Sequence, residues 1–286
     1  MAATPFIERE DYDRFLEQEA SHFPHATKEA VARLISSSLP EEAQWVADQA
    51  ANYPEDLFLV DHPPKVLVYE GDISLLGRQV RLVVAGSRQA SDACRAETES
   101  LCEALASHGI VILSGMISNI DMAAHEGSLR SHAEDETTRP ARSSAIVCSP
   151  FGAPWPRGRH ELGRAICDAG GLVISLAPQV RGLALDEAER LEVIRYRQQV
   201  FAALGTAVLV MHARAGGFTE QLVAQALAMS RPILLWHTVA ADPTPYLSEL
   251  LANPPKDAAG RDLIVVVHDV AEIEAAITAW QLVWWL

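Results

Sequence analysis

Val80-Arg81-Leu82-Val83-Val84-Ala85-Gly86-Ser87-Arg88 is the stretch whose reading decides the fold. A short aliphatic, β-branched run stops at a glycine. Apolar residues then recur at helical spacing from Asp92 to Ser107, and a second apolar run follows at Ile110–Ser114. The same alternation extends outward. Strands are expected at Val66–Tyr69, Ser144–Cys148, Leu172–Ser175, Ala207–Met211, Pro232–Trp236 and Leu263–Val267. Helices are expected at Met122–Arg130, Arg159–Ala169, Asp186–Leu204, Thr219–Met229 and from Val270 onward. Strands and helices in this order connect by right-handed crossovers into a mostly parallel sheet covered on both faces. The expectation is a doubly wound α/β domain over residues 53–286, with any ligand at the carboxyl ends of the strands.

Upstream the texture differs. Pro5–Glu19, Thr27–Ser36 and Glu41–Ala51 carry apolar residues at helical spacing, broken at Pro24 and Pro40, and Thr27 has the chemistry of an N-cap. Residues 1–52 are therefore expected to form a small helical N-terminal domain. Residues 1–60 hold 12 acidic and four basic side chains, more than half of the formal net charge of −15. That balance argues against a non-specific duplex-DNA binder, whose affinity comes from neutralising phosphates, but leaves room for a local basic pocket. The charged start, Met1–Glu10, lacks the apolar stretch of a signal peptide, and no apolar run reaches the roughly 18 residues of a membrane span. A cytoplasmic protein is expected. Cys94, Cys102, Cys148 and Cys167 form no CxxC pair, so they read as small buried thiols, and neither a metal nor a cofactor is expected. Ser131–Ser143 is polar without an apolar period and reads as an exposed loop. Trp280, Trp284 and Trp285 point to core packing or to a subunit contact in a homo-oligomer.

Three loops could carry chemistry. After the strand ending at Ala85, Gly86 permits a close approach, the helix starting near Ser91 offers free N–H groups, and Ser87 and Arg88 add donors for a phosphate. After the next strand come Ser114 and Gly115, with Asp121 and His125 four residues apart on one helical face. That pair has two readings, an acid/base couple or a brace for the loop. The third loop, Gly216-Gly217-Phe218-Thr219-Glu220, reads as a second phosphate cradle, with Glu220 at the dipole end of the following helix. Arg195-Tyr196-Arg197 sets two cations around an aromatic ring, suited to clamping a phosphodiester strand and stacking a base, or else to a solvated helix face.

These residues resemble the DprA/Smf family of DNA-processing proteins, which has a Rossmann-like fold. Tyr53-Pro54, Pro63-Pro64-Lys65 and Gly71 resemble its opening segment, and Val84–Arg88 resembles its VGSR loop. Ser114–His125 resembles its SGxAxGIDxxAH motif, with Asn119 in place of the glycine. Arg195–Arg197 resembles RNR, with Tyr196 in place of asparagine, and Gly216–Arg231 resembles the GSxxTA helix with its following Gly-Arg. The resemblance runs from about Tyr53 to Val267. It implies a non-catalytic protein that binds single-stranded DNA, with Arg88, Arg195 and Arg197 lining the pocket and a recombinase as partner. Divergent proteins of this kind also resemble regulators in phage-defence modules, where the partner is a phosphoribosyltransferase-like toxin. The wider superfamily includes phosphoribohydrolases whose GGxGTxxE loop is similar to Gly216–Glu220, a likeness that would make Glu220 catalytic toward nucleotides.

Overall fold

A computed structural model of the chain describes residues 43–48, 50–64, 66–131, 143–147, 160–176 and 187–281. The described strands are β1 (Gln44–Ala47), β2 (Val66–Gly71), β3 (Arg81–Ala85), β4 (Val111–Ser114), β5 (Ser143–Val147), β6 (Leu172–Ser175), β7 (Ala207–Val210), β8 (Ile233–Trp236) and β9 (Ile264–Val267). The described helices are α1 (Asp92–Ser107), α2 (Asn119–Arg130), α3 (His160–Asp168), α4 (Glu187–Leu204), α5 (Phe218–Ala228), α6 (His237–Ala241), α7 (Pro245–Ala252) and α8 (Val270–Gln281). One sheet runs in the order β1-β2-β6-β5-β4-β3-β7-β8-β9. From β6 to β9 all neighbours are parallel, and β1 and β2 extend the sheet antiparallel. This is the doubly wound, Rossmann-like architecture expected.

The chain starts the parallel sheet at β3 in its middle, builds β4, β5 and β6 on one side, then crosses back to lay β7, β8 and β9 on the other. The reversal falls between β3 and β7, where an open α/β sheet forms its ligand crevice. Leu82, Val83 and Val84 of β3 and Val208, Leu209 and Val210 of β7 are buried, as strands covered on both faces require. Trp280 lies in the same core.

The opposite, amino-terminal edge is held by charge. Asp56, in a 3-10 turn at Glu55–Leu59, pairs with both Arg81 and Arg231, the latter at 2.6 Å. Arg81 Nε donates to the Leu204 carbonyl at 2.6 Å, and Arg231 Nη2 to that of Ala203 at 3.0 Å. One carboxylate thus ties the turn to the starts of β3 and β8 and the end of α4.

Some expectations change. Gln44–Ala47 is a strand, where a helix over Glu41–Ala51 is expected. Its short apolar run fits either period, and pairing with β2 from Gln44 opposite Tyr69 to Ala47 opposite Val66 decides it. The Tyr69 hydroxyl donates to Gln44 Oε1 at 3.1 Å across that pair. Helix α2 starts at Asn119 rather than Met122, because Ser118 caps it. Helices α6 and α7 are additional, the second signalled by Thr244 as N-cap and Pro245 at its first position. The helices expected over residues 5–36, residues 132–142 of the expected loop, Cys148, Trp284 and Trp285 lie outside the described residues. No helix among the described residues is long and apolar enough to cross a membrane.

Candidate functional site

Gly86, Gly115 and Gly216 follow β3, β4 and β7, three adjacent strands, so their loops share the carboxyl edge of the sheet. The loops after β3 and β7 touch: Ser87 N donates to the His212 carbonyl at 3.2 Å, beyond the ladder bond from Met211 N to Ala85 O at 2.9 Å. The Ser87 hydroxyl accepts from Gln89 N at 3.1 Å, and Ser91 caps α1 through Cys94 N at 3.2 Å. Arg88 is left exposed at the tip of this turn. Gly86 serves packing here, because a Cβ would stand 2.5 Å from Ile120 Cγ1.

The loop after β4 is tied down by hydrogen bonds from the start of the next helix. Ser118 and Asp121 form a reciprocal capping box at the start of α2. Asp121 Oδ2 accepts from the amides of Ile117 at 2.9 Å and Ser118 at 3.0 Å, and Oδ1 accepts from the Ser118 hydroxyl at 2.6 Å. His125 Nε2 donates to the Gly115 carbonyl at 2.7 Å, and burial lowers the pKa of the imidazole against the opposing pull of that bond and of Asp121. Asp121 and His125 each fasten the loop from a different side. The Ser114 hydroxyl donates to the Val84 carbonyl at 2.7 Å, spending it within the sheet.

Against this loop lies Arg197. A Cβ on Gly115 would meet Asp121 Oδ2 at 2.6 Å and Arg197 Nη1 at 3.3 Å, so only glycine lets the carboxylate and the guanidinium close in on the same point. Arg197 is 6% exposed, and its Nε and Nη1 are buried without a hydrogen-bond partner. Its guanidinium sits 5.6 Å from the Phe201 ring. Buried guanidinium nitrogens left without hydrogen bonds are costly. The Asp121 carboxylate lies near enough to attract the guanidinium, but the hydrogen bonds that Asp121 accepts come from Ile117 and Ser118.

The structure does not gather Arg195, Tyr196 and Arg197 into one clamp. Consecutive residues of a helix diverge by about 100°. Arg195 is exposed, Arg197 is buried, and the Tyr196 hydroxyl donates to the His62 carbonyl at 2.9 Å. Burial pushes the Tyr196 phenol up to about 12.

The loop after β7 is also occupied. Glu220 Oε2 accepts from Gly216 N at 2.6 Å, Glu220 Oε1 accepts from the Thr244 hydroxyl at 2.5 Å, and Gly217 N donates to Arg214 O at 2.9 Å. Gly216 has φ +66°, the left-handed turn glycine favours. Thr219 is buried in the first turn of α5. Two residues of this loop escape sequence reading. Arg214 is exposed, and His212 carries a buried Nδ1 without a partner, its pKa lowered by burial. Neither belongs to a motif, and their approach to the Ser87 loop depends on a pairing between strands far apart in sequence.

A family model described as DNA recombination-mediator protein A matches residues 44–248. The chain belongs to that family. Its match begins at β1, upstream of Tyr53. Protein Smf of Escherichia coli is 27% identical over 161 residues, covering 56% of this chain and 39% of that protein. Protein Smf of Synechocystis is 28% identical over 173 residues, covering 59% and 40%. The chain therefore spans about two fifths of the length of these curated relatives. DNA processing protein A from Streptococcus pneumoniae has a similar fold, with a TM-score of 0.66 at 21% identity over 86% of this chain and 77% of that one. The Helicobacter pylori protein, whose structure is described as giving a unique single-stranded DNA binding mode, matches with a TM-score of 0.60 at 18% identity, covering 82% and 96%. At these identities the likeness is one of fold. In this recombination-mediator family member, Asn119 stands exposed at the first position of α2, and Ser230 sits past α5 with φ +55°.

Proposed function

We propose that this chain binds single-stranded nucleic acid at the carboxyl edge of its sheet, acting as a binding module rather than a catalyst. The observation that carries the reading is Arg197: a guanidinium kept in the interior beside Gly115, with its Nε and Nη1 lacking a hydrogen-bond partner. A phosphodiester docked over the Gly115 loop would bring acceptors and negative charge toward that guanidinium, the side chain best suited to phosphate. Arg88 and Arg214, exposed on the two loops that meet through Ser87 and His212, would track the rest of the backbone. Asp121 and His125 hold the Gly115 loop in place for that contact.

The test is anisotropy of a fluorescein-labelled oligo(dT) at low salt. Wild type is expected to bind. Arg197→Met is expected to lose binding by tenfold or more, in line with the roughly 1.5–3 kcal/mol of a charged hydrogen bond. Arg88→Ala is expected to weaken it less. A loss at Arg195→Ala as large as at Arg197 would move the interface to the other face of α4.

A second reading, regulation of a protein partner such as a recombinase or a phosphoribosyltransferase-like toxin, draws support from the net charge of −15. Absence of oligo(dT) binding by wild type at low salt would favour it. Nucleotide hydrolysis is disfavoured, since Glu220 is engaged on both oxygens.

A further inference from the structure

The glycine loop after β7, whose sequence reads as a phosphate cradle, already holds an anion at its first glycine amide. Glu220 folds back from the first turn of α5 and takes the Gly216 amide at 2.6 Å, the donor a phosphate oxygen would need. Its second oxygen is held by the Thr244 hydroxyl at 2.5 Å, from the N-cap of α7. The neighbouring Gly217 amide is taken by the Arg214 carbonyl at 2.9 Å. On its Cβ side Gly216 is open, with no atom beyond its chain neighbours within 4 Å of where a Cβ would stand. The group that holds the Gly216 amide, and so stands where a phosphate oxygen would have to be, is the Glu220 carboxylate. The acid is pinned from a separate element, so leaving would cost two hydrogen bonds at once.

We propose that Glu220 is a specificity-determining residue: an internal phosphate mimic that keeps ligand phosphates out of the β7 loop and leaves the Arg197 side of the crevice as the place where a phosphodiester docks. This rests on the reading of the carboxyl edge as a nucleic-acid site. It gives Glu220 a role opposite to that of a catalytic acid, since the residue refuses the compact nucleotide that such an acid would act on. A strand can dispense with the β7 loop, because it has other phosphates to place. A mononucleotide has one phosphate and no alternative to place if the β7 loop is closed to it.

The probe is AMP, titrated by calorimetry into the full chain and into variants checked for folding by thermal melts. Glu220→Ala vacates the amide and is expected to raise AMP affinity at least tenfold over wild type. Glu220→Gln removes the charge but keeps an acceptor on Gly216, so its gain is expected to be several-fold smaller. Glu249→Gln, an exposed acid on α7 that makes no bond to the loop, controls for net charge and is expected to change affinity less than twofold. If Glu220→Ala does not fold, Thr244→Val removes one tether and is expected to give a smaller gain of the same sign. Equal gains in the Ala, Gln and Glu249 variants would make this a general charge effect and overturn the proposal, as would no gain in either Glu220→Ala or Thr244→Val. Oligo(dT) binding by wild type is read in parallel. Its absence would strike the nucleic-acid reading, whereas an unchanged AMP affinity would strike only the assignment of Glu220.

Discussion

At the scale of the residue, the site is marked by groups that fit poorly with folding alone. Arg197 is buried with two nitrogens lacking a hydrogen bond, a cost that its contact with Phe201 and the nearby Asp121 carboxylate offset only in part. Stability and binding are thus expected to move in opposite directions there. Arg197→Met fills similar volume without the charge and should raise the urea midpoint by the equivalent of about 1 kcal/mol or more, even though the Phe201 contact is lost. A lowered midpoint would mean that the guanidinium is satisfied in the free protein. His125 makes a separate prediction. Its burial depresses the imidazole pKa from its ordinary 6.5, so the folded chain holds it neutral while the unfolded chain takes up a proton. The stability it contributes is fully present above about pH 6.5 and is lost as the pH falls toward the depressed folded value. Between pH 7 and 5 the wild-type denaturation midpoint should fall more steeply than that of His125→Gln, and parallel curves would contradict the assignment. Neither property is legible in sequence. The DxxxH spacing shows that Asp121 and His125 share a helical face, but not that each bonds loop backbone instead of the other.

At the scale of the element, periodicity sufficed where an element was long or a strand was bounded by turn residues. Helix α1 and strands β3, β4 and β7 fall within about a residue of expectation because apolar spacing and flanking glycines agree. It failed at β1, where four residues satisfy two periods and a partner strand chooses between them. It also failed at α6 and α7, short helices whose propensity is weak beside their caps and packing. The end of α5 offers a test of local chemistry. Ser230 follows the helix at φ +55°, where a Cβ is penalised and glycine is usual. Ser230 is exposed, so little but the backbone is at stake. Ser230→Gly should raise stability by roughly 0.5–1 kcal/mol, the strain relieved less the extra entropy of an unfolded glycine. A thermal melt that shows a decrease would mean that the serine side chain makes a compensating contact.

At the scale of the whole molecule, the sheet order brings together what sequence holds apart. Arg88 and Arg214 are 126 positions apart, and their loops meet at one edge of the sheet, over the crevice proposed to bind, because β7 returns to lie beside β3. Alternation in the sequence shows that the strands are parallel and that loops of interest follow them, but it does not give the order in which strands neighbour one another. The overall charge works against that crevice. A chain of formal charge −15 repels a polyanion at long range while a few arginines attract it at contact. Salt weakens both effects, with opposite consequences. Added ions screen the repulsion once the Debye length falls to about 10 Å near 0.1 M, which aids approach, and they reduce the gain from counterion release, which weakens the contact. Three phosphate contacts on a single strand would alone give a slope of log K against log salt of about −2, at roughly 0.7 per contact. The screened repulsion should make the measured slope shallower than that. Arg88→Ala should remove a further ~0.7 of slope at every base composition, since a phosphate contact carries no sequence information. A slope much steeper than −2, or an Arg88 effect that depends on base sequence, would show that more of the surface than this crevice meets the strand.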